Sequence, residues 1–202
     1  MLHIDHIAIA ATNLADGVAY VEDVLGVSMA AGGKHAAMGT HNRLLGLQNG
    51  LYLEVIAVDP DALPPARSRW FDLDDFTGPP RLANWIVVSS NIVSLTENFP
   101  EFGRPVALQR GTLSWSMAVP DNGKLPFGGL HPAALEWQSG GHPSQHLQPS
   151  GCGLEALVLS HPEIEKLRLM LPNELDPRVH FETGDAGIKA HMKTPNGYRT
   201  LT

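Results

Sequence analysis

Three times along this chain a short β-friendly run is followed by a short amphipathic helix and then by further strand-like runs. Few architectures accept such a repeat. The units begin near residues 2, 82 and 154. In the first, Leu2 to Ala10 reads as a strand and Thr12-Asn13 as its stop. Val18, Val21, Val24 and Leu25 then fall at helical spacing over 14–25, with Asn13 placed to cap the helix and Gly26 to end it. Asn49-Gly50 lies between the strand-like runs 42–47 and 51–58, a strong hairpin signal. The second unit offers strands at 82–89, 113–119 and 133–138, a helix over 91–99 that stops at Pro100, and a short run Val106 to Gln109. The third offers 154–159 and 188–194, with Val179 to Glu182 between them. Its helix, over 161–171, is introduced by a capping-box pattern, Ser160-x-x-Glu163.

Small α+β units that repeat pair their sheets to bury a shared face, and a concavity forms between them. The expected fold is therefore α+β, with repeated βαβββ units forming curved, mainly antiparallel sheets around a cleft. One domain over 1–202 would hold units at about 1–58 and 82–138 and a degenerate unit at 152–202. A Pro-rich connector, 59–81, carries one short helical piece near Trp70. With 20 glycines and 16 prolines the chain is too punctuated for a helical bundle. A formal net charge of −7 argues against a nucleic-acid partner. No apolar run approaches the roughly 18 residues that would span a bilayer, so no membrane partner is expected. The start, MLHIDHIAIA, lacks the features of a signal peptide, and Cys152 is the single cysteine. A soluble, cytoplasmic protein is the expectation.

A βαβββ unit that opens on His6-Ile7-Ala8-Ile9-Ala10 and closes on Tyr52-Leu53-Glu54 resembles the vicinal oxygen chelate superfamily. Its members include glyoxalase I, extradiol dioxygenases and bleomycin-resistance proteins. Gly39-Thr40-His41-Asn42 together with Tyr52-Leu53-Glu54-Val55-Ile56 looks like the glyoxalase-like domain proteins within it. The resemblance covers 1–58 well and 82–138 less closely; beyond 150 it is a pattern of elements only. Metal-dependent members hold an ion with residues on the first and last strands of two paired units. By that resemblance His6 falls on a first-strand ligand position, and Glu54 and Glu136 fall on last-strand ones. Asn84 stands where the second unit would carry a histidine, and an amide oxygen is the weaker ligand.

One histidine and two carboxylates with open positions suit a divalent ion such as Fe, Mn, Zn or Ni. A carboxylate in an apolar strand is costly unless a cation or several donors meet it. The blander account makes His6 a hydrogen-bonded core histidine and pairs each glutamate with an arginine such as Arg43 or Arg81. Strand periodicity puts His41 and Asn42 on opposite faces and does not choose which lines the pocket. Trp85, Trp115 and Trp137 can wall a cavity or simply pack the core. His142, Pro143 and His146 read as a surface loop, and Cys152 as structural.

The resemblance implies a metal-dependent lyase, isomerase or dioxygenase acting on a small oxygen-bearing substrate. Glu54 and Glu136 would be catalytic, and His41, Asn42, Asn84, Trp85 and Trp115 would lie on the substrate side. The alternative is a resistance-type protein that binds a small-molecule ligand without turnover and needs no cofactor. In either case the pocket would form within one chain or across a homodimer.

Overall fold

The computed structural model describes residues 1–202. The first unit comprises β1 (His3–Ala10), α1 (Leu14–Leu25), β2 (Ala30–His35), β3 (Thr40–Gly46) and β4 (Tyr52–Val58). Both ends of α1 follow from its sequence. The Asn13 side chain accepts from the Asp16 N–H at 2.9 Å, and Gly26 takes the left-handed conformation, φ 68°. Gly17 lets the helix seat directly on β4, because a Cβ there would lie 2.4 Å from Val55 Cγ1. The second unit comprises β5 (Arg81–Val88), α2 (Ile92–Asn98), β6 (Arg104–Arg110), β7 (Leu113–Val119) and β8 (Ala133–Ser139). The third comprises β9 (Gly153–Ser160), α3 (Ile164–Leu169), β10 (Val179–Glu182), β11 (Gly187–Thr194) and β12 (Gly197–Leu201).

The first two units share one eight-stranded sheet, ordered β2-β3-β4-β1-β5-β8-β7-β6. At its centre β1 and β5 pair antiparallel, each flanked by a parallel partner, β4 and β8 respectively. The remaining pairs are antiparallel. The third unit forms its own sheet, ordered β10-β9-β11-β12. This is the expected α+β architecture of curved, mainly antiparallel sheets.

The large sheet has two cores because alternate residues of each strand point to opposite faces. Its concave face carries Ala8, Ala10, Ile56, Ile86, Met117 and Leu135. The 59–80 connector folds over that face, contributing Trp70, Phe71 and Leu73 from a tight turn in which Phe71 and Asp72 both take positive φ. Its convex face carries Ile7, Ile9, Leu53, Val55, Trp85 and Val87, packed beneath the helices and the second sheet. No helix is long and apolar enough to cross a membrane.

One strand has no counterpart in the sequence reading, and one local expectation needs correction. The strand β2 carries two glycines and a register shift between Ala31 and Lys34, so it has no apolar periodicity to read. The capping box at Ser160 does not form. Ser160 belongs to β9, and Glu163 is itself the N-cap of a shorter α3, with no side-chain cap.

Candidate active site

The concave face places His6 and Glu54 side by side. In the parallel β1–β4 pair, His6 lies opposite Tyr52 and Ala8 opposite Glu54. Both side chains are buried, and His6 Nε2 lies 3.6 Å from Glu54 Oε2. Asn42, inward-facing on β3, donates from Nδ2 to Glu54 Oε1 at 2.5 Å.

Asp5 joins the group through a bulge. The β1–β5 register shifts between Ile4 and His6, which leaves Asp5 as the extra residue and frees it from strict alternation. Its Oδ1 meets His6 Nδ1 at 2.7 Å. Its Oδ2 accepts from Trp137 Nε1 at 2.8 Å and lies 3.1 Å from His142 Nε2. Tyr52 stacks on the His6 ring, with centroids 4.3 Å apart.

Burial alone would discharge His6, but the hydrogen bonds and charges of Asp5 and Glu54 outweigh it and push its pKa up to about 9. Burial likewise opposes the charge on Glu54 and Asp5. The neighbouring His6, with His35 and Asn42 at Glu54 and with His142 at Asp5, overcomes that cost and holds both carboxyls below their usual range. At neutral pH the row is carboxylate, imidazolium, carboxylate.

A second row comes from elements at the two sheet edges. His35 ends β2, and Arg110 ends β6. Arg110 Nη1 lies 3.2 Å from Asn42 Oδ1 and 3.3 Å from His35 Nε2. A guanidinium only donates, so His35 Nε2 is the acceptor and its Nδ1–H points to Thr40 Oγ1 at 3.1 Å. Burial, aided by the charge of Arg110 against the opposing pull of Glu54, drops the His35 pKa to about 4. Trp70, Phe71, Trp115, Met117, Leu135, Trp137 and Pro143 close the walls. The enclosed free volume is about 30 Å³, room for two or three waters.

Of the residues the sequence nominated, His6, Glu54, Asn42 and Trp115 line this cavity. Four others lie elsewhere. Leu135 and Trp137 of β8 face the cavity, so Glu136 between them points to the convex side. There its Oε2 accepts from the Ile92 N–H at 2.7 Å, at the start of α2. Trp85 is fully buried in the convex core, donating to the Leu130 carbonyl at 2.8 Å. His41 shares the convex face with Arg43, against α1. Asn84 is buried beside a separate cleft that includes Phe71, Phe127 and Gly129. Asp5, His35, Arg110, Trp70 and the His142–Pro143 pair were not nominated. A bulge, a glycine-rich strand, a strand end and two loops carry them, and none has a sequence period.

The three-ligand ion implied by the resemblance does not fit this donor set. His6, oriented by Asp5, and Glu54 could supply two ligands. Glu136 is committed to α2 on the opposite face of the sheet. The next polar groups are the donor nitrogen of Asn42, the cationic Arg110, and His35, whose Nε2 lone pair is taken up by Arg110. No three His, Cys, Asp or Glu side chains are arranged to hold an ion.

Two strand–helix–strand units joined edge to edge in one curled sheet, with the polar site in its concavity, define a vicinal oxygen chelate fold. The chain belongs to the glyoxalase-like domain family, whose model matches residues 4–174. Among solved structures, a hypothetical protein from Staphylococcus aureus superposes with a TM-score of 0.65 at 15% identity. That match covers 92% of this chain and 87% of the other. Methylmalonyl-CoA epimerase from Mycobacterium tuberculosis gives a TM-score of 0.45 at 16% identity, over 68% of this chain and 88% of the other. A methylmalonyl-CoA epimerase in complex with methylmalonyl-CoA and NH4+ gives 0.43 at 14% identity, over 70% and 97%. None of the curated proteins matches the chain significantly.

Proposed function

We propose that this protein is a glyoxalase-like isomerase or lyase that moves a proton at a carbon next to a carbonyl of a small oxygen-bearing substrate. Glu54 is the base and His6 its charged partner. The observation that carries this reading is the buried Glu54 carboxylate, kept ionised by His6 in an aromatic cavity rather than neutralised by an arginine. A structural glutamate in such a strand would be paired away from the free space, as Glu136 is.

In the proposed step the substrate C–H bond breaks and its proton passes to a Glu54 oxygen. The electron pair moves onto the carbonyl oxygen as an enolate. The His6 imidazolium and the Arg110 guanidinium offset that charge where water is excluded. Returning the proton to carbon completes an isomerisation; loss of a group from the neighbouring carbon would complete an elimination. No step is assigned to a metal, because the residues that would hold it are not assembled.

The test is proton–deuterium exchange of carbonyl carbon acids in D2O, followed by NMR. Wild-type protein is expected to accelerate exchange for at least one compound of the class, and Glu54→Gln to lose at least about 100-fold of that rate. Equal rates in the two proteins would contradict the reading. The incomplete ligand set favours a second reading, a binding protein without turnover, for which compounds would bind but not exchange.

A further inference from the structure

Arg110 is unlike the other arginines that meet polar partners here. Arg67, Arg81 and Arg199 donate only to backbone carbonyls, whereas Arg110 meets neutral side-chain acceptors inside the cavity. Arg69, Arg104, Arg168 and Arg178 each form a salt bridge with an aspartate or glutamate. Arg110 has no carboxylate within salt-bridge distance. Only its Nη1 is engaged, by the neutral acceptors Asn42 Oδ1 and His35 Nε2, which leaves the Nε and Nη2 donors without a protein partner. A half-buried guanidinium facing neutral groups is poorly compensated unless an anion completes it.

The surrounding backbone makes room for this side chain. A Cβ on Gly33 would lie 2.9 Å from Arg110 Cδ and 3.3 Å from its Nε. Glycine at that position lets the guanidinium cross from β6 over β2 into the cavity. A second donor in the same wall is also unsatisfied: Trp70 is 4% exposed, and its Nε1–H has no acceptor in the protein. A buried indole N–H left unpaired is costly, and a ligand oxygen would satisfy it.

We infer that the cavity recognises a small aromatic carboxylate, its carboxylate held by the free edge of Arg110 and its flat body set against Trp70, Trp115 and Trp137. The planar fork of arginine matches a carboxylate with two parallel hydrogen bonds. The tryptophan faces favour a flat unsaturated body over a flexible one. Asn42 joins the two functions, since its Oδ1 faces Arg110 and its Nδ2 faces Glu54. A carboxylate on Arg110 therefore brings the carbons next to it toward the base. This inference rests on the proposed proton-transfer reading for its use, but its test reads binding alone. As it stands the cavity holds only two or three waters, so binding such a ligand requires the wall to open and stay displaced. Pro143 follows Gly140 and Gly141, both at positive φ, in the loop that closes it.

The experiment is calorimetric titration of the full chain at pH 7 with phenylacetate, phenylacetamide and acetate. Phenylacetate is expected to bind about 30-fold more tightly than its neutral amide, and more tightly than acetate, which lacks the ring. Arg110→Gln should erase the preference for the acid and weaken amide binding far less. Arg110→Lys, which keeps the charge without the fork, should lose part of it. Arg104→Gln, a surface control, should change nothing. Phenylacetate that fails to bind, or binds no better than the amide, overturns the inference within wild-type protein whether or not Arg110→Gln folds. Undiminished binding to a folded Arg110→Gln also overturns it. Glu54→Gln should still bind phenylacetate. Binding that survives there while exchange does not differ from wild type would defeat the catalytic reading and leave this one standing. Exchange without any preference for carboxylates would do the reverse.

Discussion

The two halves of the large sheet have the same element order but carry different chemistry on their concave faces. The β1–β4 half presents His6, Asn42, Tyr52 and Glu54, while the β5–β8 half presents Trp115, Met117, Leu135 and Trp137, with Arg110 at its edge. The clearest contrast is between the two last-strand glutamates. Glu54 stands on an inward position of its pleat and Glu136 on an outward one, and a single residue of parity separates a carboxylate in the cavity from one that holds the start of a helix. A repeated scaffold thus preserves the cavity while leaving each half free to specialise, one for charge and the other for shape.

The largest expected effect tests that division. Glu54→Gln should lower proton exchange by about two to four orders of magnitude, whereas Glu136→Gln should leave it within about twofold. Similar losses in both variants would break the comparison. Next in size is a pair of tryptophans on opposite faces. Trp85→Ala should cost about 3–5 kcal/mol in denaturant unfolding, since the side chain is fully enclosed in the convex core. Trp115→Ala, beside free space, should cost less and instead weaken ligand binding.

A smaller effect is the pH dependence of stability. The His6 pKa is raised to about 9, so the stability it brings is fully present below its unfolded value near 6.5 and is lost as pH rises through 9. His35 and His131 are lowered to about 4 by burial, so the unfolded chain binds more protons between 6.5 and 4 and stability falls across that range. Stability should therefore be maximal near pH 6.5, as denaturant unfolding at several pH values will measure. His131 lies against Phe102 away from the site, its Nδ1 bonded to the Pro132 carbonyl. His131→Asn should therefore flatten the acid limb alone. The smallest effect is the cap: Glu136→Gln weakens a charge-assisted bond to the start of α2 and should cost roughly 1 kcal/mol.

Much of this arrangement was legible in the sequence, and particular residues show where legibility stopped. The caps of α1 and the hairpin around Asn49-Gly50 follow from local patterns that the structure keeps, whereas the nearness of His6 to Glu54 is what the family resemblance implied. The placement of Glu136 was readable in principle, because Leu135 and Trp137 alternate with it. The family resemblance places the carboxylate on its strand, and the pleat decides which face it takes. Asp5 was not readable, since only a bulge allows neighbours in a strand to reach the same side. His35 and Arg110 meet only because the sheet curls until its edge strands approach, and no local pattern encodes a contact of that kind.

The proposed chemistry needs the His6–Glu54 pair to be charged, and NMR titration of the His6 imidazole measures that directly. In wild-type protein the His6 resonance should titrate near pH 9, and in Glu54→Gln its midpoint should fall toward the ordinary histidine value of about 6.5. A wild-type midpoint near or below 6.5, unmoved by Glu54→Gln, would mean that the two side chains do not form the ion pair on which the proposed chemistry rests.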